Sequence, residues 1–371
     1  MQTDKSTIVI AGAGPSGLTL AIELNRLGIP CAIFDKASGP APMHESRALA
    51  FNSRSQSLLA TSGVTESIET VSHPVERVRF CWKGQMRNEI SIKADSQQPN
   101  KMLIVRQGQI ERKMLEHLQQ KGIEVSWNTE LAEFTEQNDH VTTTFMGQKG
   151  EHHKIQCRYL VGCDGAHSFV RRNGGYTFEG ETDPQLWSLA DVSTTDDRFA
   201  HTLTADLSPG KAFATMPIEN NLVRLIHNGP DLLQRHPFAH LQTNVHWQSE
   251  FKVSYRLVKL FNRGRTFLCG DAAHIHSPVG GRGMNLGIED AATLAWLLQK
   301  NSELDYTSLR RPVAVKVLKL THNQTSQMNA SSMVSSILKQ FGPKLISLAP
   351  VKRSFLKTLH GLDTPDPVWL D

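Results

Sequence analysis

The segment Thr7–Asp35 constrains this chain more than any other. It reads TIVIAGAGPSGLTLAIELNRLGIPCAIFD. A short β-branched run, Thr7–Ala11, ends in glycines. Ser16–Leu27 then carries Leu18, Ala21, Ile22 and Leu24 at helical spacing, Gly28 stops it, and Pro30–Asp35 reads as a second strand. Strand, turn, helix and strand within about 30 residues make a βαβ unit. Gly12-x-Gly14-x-x-Gly17 sits at its turn. There Gly12 permits the tight turn, Gly14 lets backbone approach a pyrophosphate, and Gly17 allows close helix packing. The helix start points free N–H groups at the phosphates, and Ser16 adds a hydroxyl there. Asp35 follows Gly17 by 18 residues, near the spacing of a ribose-binding acid. This motif predicts a dinucleotide and leaves FAD and NAD open.

The rest of the chain reads as an interleaved fold. Gln107–Gln120 is helical in pattern, and Ile123–Trp127 and Tyr159–Cys163 read as strands. Residues 181–262 alternate with period two, with turn residues at Ser208-Pro209-Gly210 and Asn220-Asn221. Thr266–Cys269 returns to a buried strand, and Leu286–Leu298 is helical. Residues 305–360 read as helices interrupted at Pro312, Gly342-Pro343 and Pro350. The expected class is α/β. A Rossmann-like domain (1–75, 101–180 and 265–300) interleaves with a mostly antiparallel sheet domain (76–100 and 181–264). A helical region (301–371) follows.

Apolar content of 39% and charged content of 20% fit a globular chain of 371 residues, and no apolar run approaches a membrane span. The start lacks a signal pattern, so a cytoplasmic protein is expected. Five cysteines without a C-x-x-C pair predict buried, reduced thiols. His274 and His276 lack further ligands at metal spacing, so no metal is expected. Net charge is +4, yet residues 306–362 hold nine Lys or Arg and no acid. A solvated face of packed helices is the simpler reading of that stretch, peripheral membrane contact the less favoured one. No nucleic-acid motif is present.

Two later segments narrow the cofactor: YLVGCDGAHSFVRR at 159–172 and TFLCGDAAHIHSPVGGRGMNLGIEDAA at 266–292. With AGAGPSG at 11–17, they resemble the group A flavoprotein monooxygenases, which include aromatic-ring hydroxylases. The likeness runs to about residue 300. It implies FAD as the cofactor, with Asp271 bonding the ribityl chain and Asp164-Gly165 serving FAD and the nicotinamide donor. Arg47, Lys36, Arg106 and Gln107 are implied FAD contacts. Pro278, Gly280, Gly281 and Gly283 would form the loop over the flavin ring, and Met284 and Asn285 would offer helix N–H groups to its pyrimidine edge. Arg282 stands where the family usually has Gln, a cation that would favour an anionic reduced flavin.

The resemblance also implies a cycle. NADPH or NADH reduces FAD, O2 adds to form a C4a-hydroperoxide, and one oxygen atom passes to an electron-rich substrate such as an aromatic or polyketide-like small molecule. The flavin performs the chemistry, so no catalytic side chain is expected. Candidate substrate-wall residues on the inserted sheet are Phe213, Met216, Arg224 and His227. Alternatives are a dehydrogenase or reductase without oxygen insertion, a ubiquinone-biosynthesis-type hydroxylase at a membrane surface, and a flavin-binding interaction protein.

Overall fold

A computed structural model describes residues 5–43, 49–94, 100–208, 210–238, 242–367 and 369. The fully buried run Ile8–Ala11 forms the central strand of a six-stranded sheet. Its order is Asn262–Arg263, Thr266–Leu268, Tyr159–Gly162, Ile8–Ala11, Cys31–Phe34, Val125–Ser126. All neighbours are parallel except the Asn262–Arg263 edge. Continuous apolar strands are what a sheet covered on both faces requires. The Pro15–Arg26 helix begins with proline in its first turn and ends at Gly28, whose φ is +70°. Leu18, Leu20, Ile22 and Leu24 of that helix are buried in the largest core, with Leu286, Ile288, Leu294 and Leu298 of the Gly283–Lys300 helix.

The inserted sheet has eight strands. Their order is His274–Ile275, Gln242–Val258, Phe178–Thr194, Leu222–His227, Phe213–Glu219, Thr202–Asp206, Arg77–Trp82, Gln85–Ser91. Its pairs are antiparallel apart from Thr202–Asp206 beside Arg77–Trp82. His274–Ile275 belongs to the returning segment, so the loop after Asp271 is stitched to the sheet that faces it. The fold is the expected α/β architecture with an interleaved antiparallel sheet and C-terminal helices.

Two expectations about the C-terminal helices need correction. Pro312 lies inside the Tyr306–Asn329 helix and Pro343 inside Met333–Leu345, and neither ends its helix. Val313, Ala314 and Val317 are buried around the first of these, so packing offsets the missing backbone hydrogen bond. Only Pro350 stands at a boundary, in the first turn of Ala349–Leu359. Nor do the basic residues of 306–362 form one solvated face. Arg310 is buried between two carboxylates, and Lys339 is buried with its ammonium on the Met328 and Ala330 carbonyls. All five cysteines are free thiols, four of them buried. Among the described residues no helix is long and apolar enough to cross a membrane.

Candidate functional site

The glycine turn is built by exclusion. Gly12 has a φ of +107°, and a Cβ there would overlap the Cys163 carbonyl of the neighbouring strand end. A Cβ on Gly17 would overlap the Gly12 carbonyl. Gly14 differs. Its φ of −73° suits any residue, and a Cβ on it would meet nothing within 4 Å. No protein atom requires glycine at that position, and the space in front of it is open. Asp35 closes the turn, accepting the Ala13 N–H at 2.6 Å and the Ala37 N–H at 2.8 Å. Lys36 beside it is exposed.

Ser16 lies in the first turn of the Pro15–Arg26 helix. Its hydroxyl lies in the notch between Gly270 and Gly287, where a Cβ on either glycine would strike it.

Asp164, at the end of the adjacent parallel strand, accepts the Phe169 and Val170 N–H groups through Oδ2 at 2.6 and 3.1 Å. Its Oδ1 is buried without a partner among the described residues, an orphan that a bound hydroxyl or amide would satisfy. Gly165 follows with φ +75°. Sequence reasoning missed Arg171. Its guanidinium donates to the Ala272 carbonyl at 2.9 Å and the Ala166 carbonyl at 2.7 Å, and lies 3.9 Å over the Phe178 ring. It therefore clamps the Asp164 and Asp271 loops together; the only signal was its place in SFVRR.

Asp271 is reached by solvent, yet protein crowds it on most sides, so burial raises its carboxyl above the usual range despite the nearby His274. No hydrogen bond to its side chain occurs among the described residues. Removing it should not harm the ligand-free fold. A carboxyl raised in the folded state contributes stability below its unfolded value, and that contribution is lost as pH rises through the folded value. At neutral pH the group therefore opposes folding. Asp271→Ala is expected to keep or slightly raise the melting temperature of the FAD-free protein while weakening FAD binding roughly ten- to a hundredfold. Flavin titration and thermal melting of the same samples check both halves.

Behind this loop lies a buried charge network. Asp290 accepts from the Gly270 N–H at 3.1 Å, meets His274 Nε2 at 2.5 Å and pairs with Arg310 Nε at 2.7 Å; Arg310 also pairs with Glu289. His274, the first histidine of the H-x-H pair, is thus held by Asp290. His276 donates Nδ1–H to the Ser277 carbonyl at 2.9 Å. Burial, aided by the nearby His274 and Arg282, pushes the His276 imidazole down to about 4, so it is neutral above that pH.

The loop after Asp271 runs through exposed Pro278 to Gly281, where φ is +61° and a Cβ would lie 2.5 Å from Ala50 Cβ. The Gly283–Lys300 helix then starts, and the N–H groups of Gly283, Met284 and Asn285 have no partner within the helix. The Asn285 side chain is fully engaged, donating to the Ala50 and Gly281 carbonyls and accepting the Asn52 N–H. Its backbone alone is left for a ligand. Arg282 corrects the expectation of a cation over the ring, because its guanidinium holds the Thr358 carbonyl at 2.9 Å and Asp363 at 2.7 Å. Gln107 donates to Glu111 at 2.8 Å, and Arg106 pairs with Glu219 at 3.3 Å, linking the Gln107–Gln120 helix start to the inserted sheet. Arg47 lies outside the described residues.

The substrate-wall candidates divide between the two faces of the eight-stranded sheet. Phe213 pairs with His227 and Met216 with Arg224, in opposite phases of the pleat. Phe213 and His227 stack at 4.2 Å, beneath His236 and Phe238, on the face turned away from the Pro278–Gly281 loop. Arg224 shares a face with Met216, but it is buried in a bidentate pair with Asp191, at 2.6 and 2.8 Å, and lies over Trp247. These findings take Phe213, His227 and the Arg224 charge away from the substrate wall. The loop-facing side carries Met216, Ile226, Trp187 and Tyr255, with Val279 of the loop and Met328 packed against that cluster. Trp187 Nε1 is buried there without a partner among the described residues.

A glycine turn opposed by a carboxylate loop and a second helix N-terminus, under a sheet from another layer, has the arrangement of a dinucleotide-binding α/β fold. Residues 5–231 and 228–321 match the family described as FAD binding domain. A flavin-dependent monooxygenase of Mycobacteroides abscessus is 31% identical over 358 residues, 85% of this chain and 73% of that protein. The 6-methylpretetramide 4-monooxygenase of Streptomyces rimosus is 30% identical, over 95% of this chain and 68% of its own length. Among solved structures, p-nitrophenol 4-monooxygenase PnpA from Pseudomonas putida DLL-E4 superposes with a TM-score of 0.85 over 97% of this chain and 99% of that one. At 24% identity, this shows the fold alone. The chain belongs to the group A FAD-dependent monooxygenases.

Proposed function

We propose that this monooxygenase uses NADPH or NADH and O2 to hydroxylate an aromatic or polyketide-like small molecule held between the Pro278–Gly281 loop and the facing side of the eight-stranded sheet. The observation that carries the substrate class is the character of that face. It is largely apolar and aromatic, and two of its buried polar groups, Trp187 Nε1 and the Tyr255 hydroxyl, have no hydrogen-bond partner among the described residues. Relatives named for 6-methylpretetramide and rifampicin support a polycyclic substrate.

In this reading the segments 1–75, 101–180 and 265–300 hold FAD, and 76–100 with 181–264 hold the substrate. Gly12, Gly14 and Gly17 with the Pro15–Arg26 helix start take the pyrophosphate. Asp35 and Lys36 take the adenosine end. Arg106 and Gln107, Asp164 with Gly165, and Asp271 line the ribityl side. Pro278, Gly281, Gly283, Met284 and Asn285 supply backbone along the ring. The unpartnered Asp164 Oδ1, the ligand-seeking Asp271 and the open space at Gly14 all fit this group. Bound there, FAD supplies the redox chemistry that activates O2 with electrons from the nicotinamide donor.

The protein's own contribution is orientation and dryness. Helix N–H groups at 283–285 favour negative charge at the ring edge. The apolar sheet face excludes water from the reacting centre. Use of NAD(P)H and the reduced thiols are consistent with a cytoplasmic location.

The test is a panel of phenols and polycyclic aromatics, scored by stimulated NAD(P)H oxidation and by product mass. Stimulation with gain of one oxygen atom supports the proposal. Stimulation with no oxygenated product from any compound would count against it.

A further inference from the structure

Half of the large apolar side chains that the described residues expose fall within fifteen positions: Ile337, Leu338, Phe341, Leu345, Leu348 and Val351, each 40–63% exposed. The first four make one stripe along the Met333–Leu345 helix, at steps of one, three and four residues. The helix packs with its polar side inward. Lys339 is buried on backbone carbonyls, and the Pro343 carbonyl accepts from Asn88 at 2.6 Å. The apolar stripe therefore points to solvent, against the usual rule for a helix on a globular surface. Leu348 and Val351 continue it into Ala349–Leu359, whose Phe355 packs inward on Phe80. A clustered patch of this kind marks an interaction surface.

Charge identifies the occupant. Lys344, Lys352, Arg353 and Lys357 flank the stripe, and none is paired with a carboxylate among the described residues. No Asp or Glu occurs between residues 306 and 362. A second copy docked through this face would oppose like charges with no acid to meet them. An anionic lipid surface supplies both needs, headgroup charge for the cations and an acyl boundary for the stripe.

We propose that the Met333–Leu345 helix and the start of Ala349–Leu359 form an interfacial anchor that seats this enzyme on an anionic bilayer. Ile337, Phe341 and Leu345 enter the headgroup boundary, and Lys344, Arg353 and Lys357 contact acidic headgroups. The chain lies on the membrane and does not cross it.

The test is co-sedimentation of the FAD-loaded full chain with vesicles of phosphatidylcholine alone or mixed with phosphatidylglycerol. At least about tenfold more protein should bind the anionic vesicles, and salt should weaken that binding. Ile337→Ser/Phe341→Ser/Leu345→Ser should lose the binding by about tenfold. Lys344→Gln/Arg353→Gln/Lys357→Gln should lose the preference for phosphatidylglycerol. Flavin content and melting temperature should hold in both variants, since the changed side chains are exposed. Equal binding to both vesicle types, or a serine variant that binds like the unmodified protein, would overturn the proposal. So would a dimer in sedimentation that the serine variant abolishes, because a second copy would then cover the face.

Discussion

Replacing Gly14 with valine is expected to leave a folded protein that no longer retains FAD. The three glycines of the turn differ in what surrounds them. Valine at Gly12 would face a φ of +107° and the Cys163 carbonyl, and valine at Gly17 would strike the Gly12 carbonyl. Either change damages the turn itself, so flavin loss would be ambiguous. At Gly14 the backbone is extended, with φ −73° and ψ −176°, and the added side chain meets no protein atom within 4 Å. The cost to the free protein is limited to a poorer helix N-cap, about 1 kcal/mol. The side chain would occupy the space reserved for the pyrophosphate and remove the close approach to the helix N-terminus. FAD affinity should fall by at least about a hundredfold, roughly 3 kcal/mol. The flavin-to-protein absorbance ratio after purification, read beside far-UV circular dichroism, checks it. A Gly14→Val protein isolated with a full complement of flavin would show that the pyrophosphate lies elsewhere.

The second large effect is on stability. Arg310→Met removes the guanidinium from a site where Asp290 and Glu289 are almost wholly inaccessible. Asp290 would then keep His274 and the Gly270 N–H, and Glu289 would lose the guanidinium it pairs with. Breaking a buried pair by removing one partner costs about 3–5 kcal/mol, which for a chain of this size lowers the melting temperature by on the order of 5–15 °C. The pH dependence gives a sharper signature. Burial alone would raise the Asp290 carboxyl, but His274 and Arg310 outweigh it and hold the group below its usual range. A depressed carboxyl contributes stability above its unfolded value, and that contribution is lost as pH falls through the folded value. Without Arg310 the depression shrinks, so the variant should lose less further stability than the unmodified protein as pH falls below about 4, and the gap between the two should narrow there. Asp290 also accepts the Gly270 N–H, so flavin should leave as the Asp271 loop loosens. Denaturation from neutral pH down to about pH 3, followed by flavin fluorescence, reads both effects. A variant with unchanged stability and flavin content would show that the network does not support the loop.

The nucleotide-binding turn was legible in the sequence because its constraints are local. Strand, glycines, helix and acid all lie within Thr7–Asp35, and the structure joins them by short backbone contacts. The substrate face was only half legible. Residues 213 and 216, like 224 and 227, are three apart, so a strand must turn them to opposite faces. Which face meets the flavin loop depends on Val279 and Met328, far along the chain. Arg282 misled for a similar reason, since its partner Asp363 is 81 positions away. The apolar stripe at Ile337–Leu345 was present as a helical pattern. Its outward orientation follows from Asn88 and Lys339 holding the opposite side, which no local signal reports.

The central claim is that this cleft binds FAD and inserts oxygen from O2 into a small molecule lodged against the sheet. Turnover of an active compound from the aromatic panel under isotopically labelled O2, with ordinary water and NAD(P)H, tests it most directly. The expected product carries one labelled oxygen atom, with yield tracking the NAD(P)H consumed. A product whose added oxygen is unlabelled, or an oxidised product with no added oxygen, would contradict it.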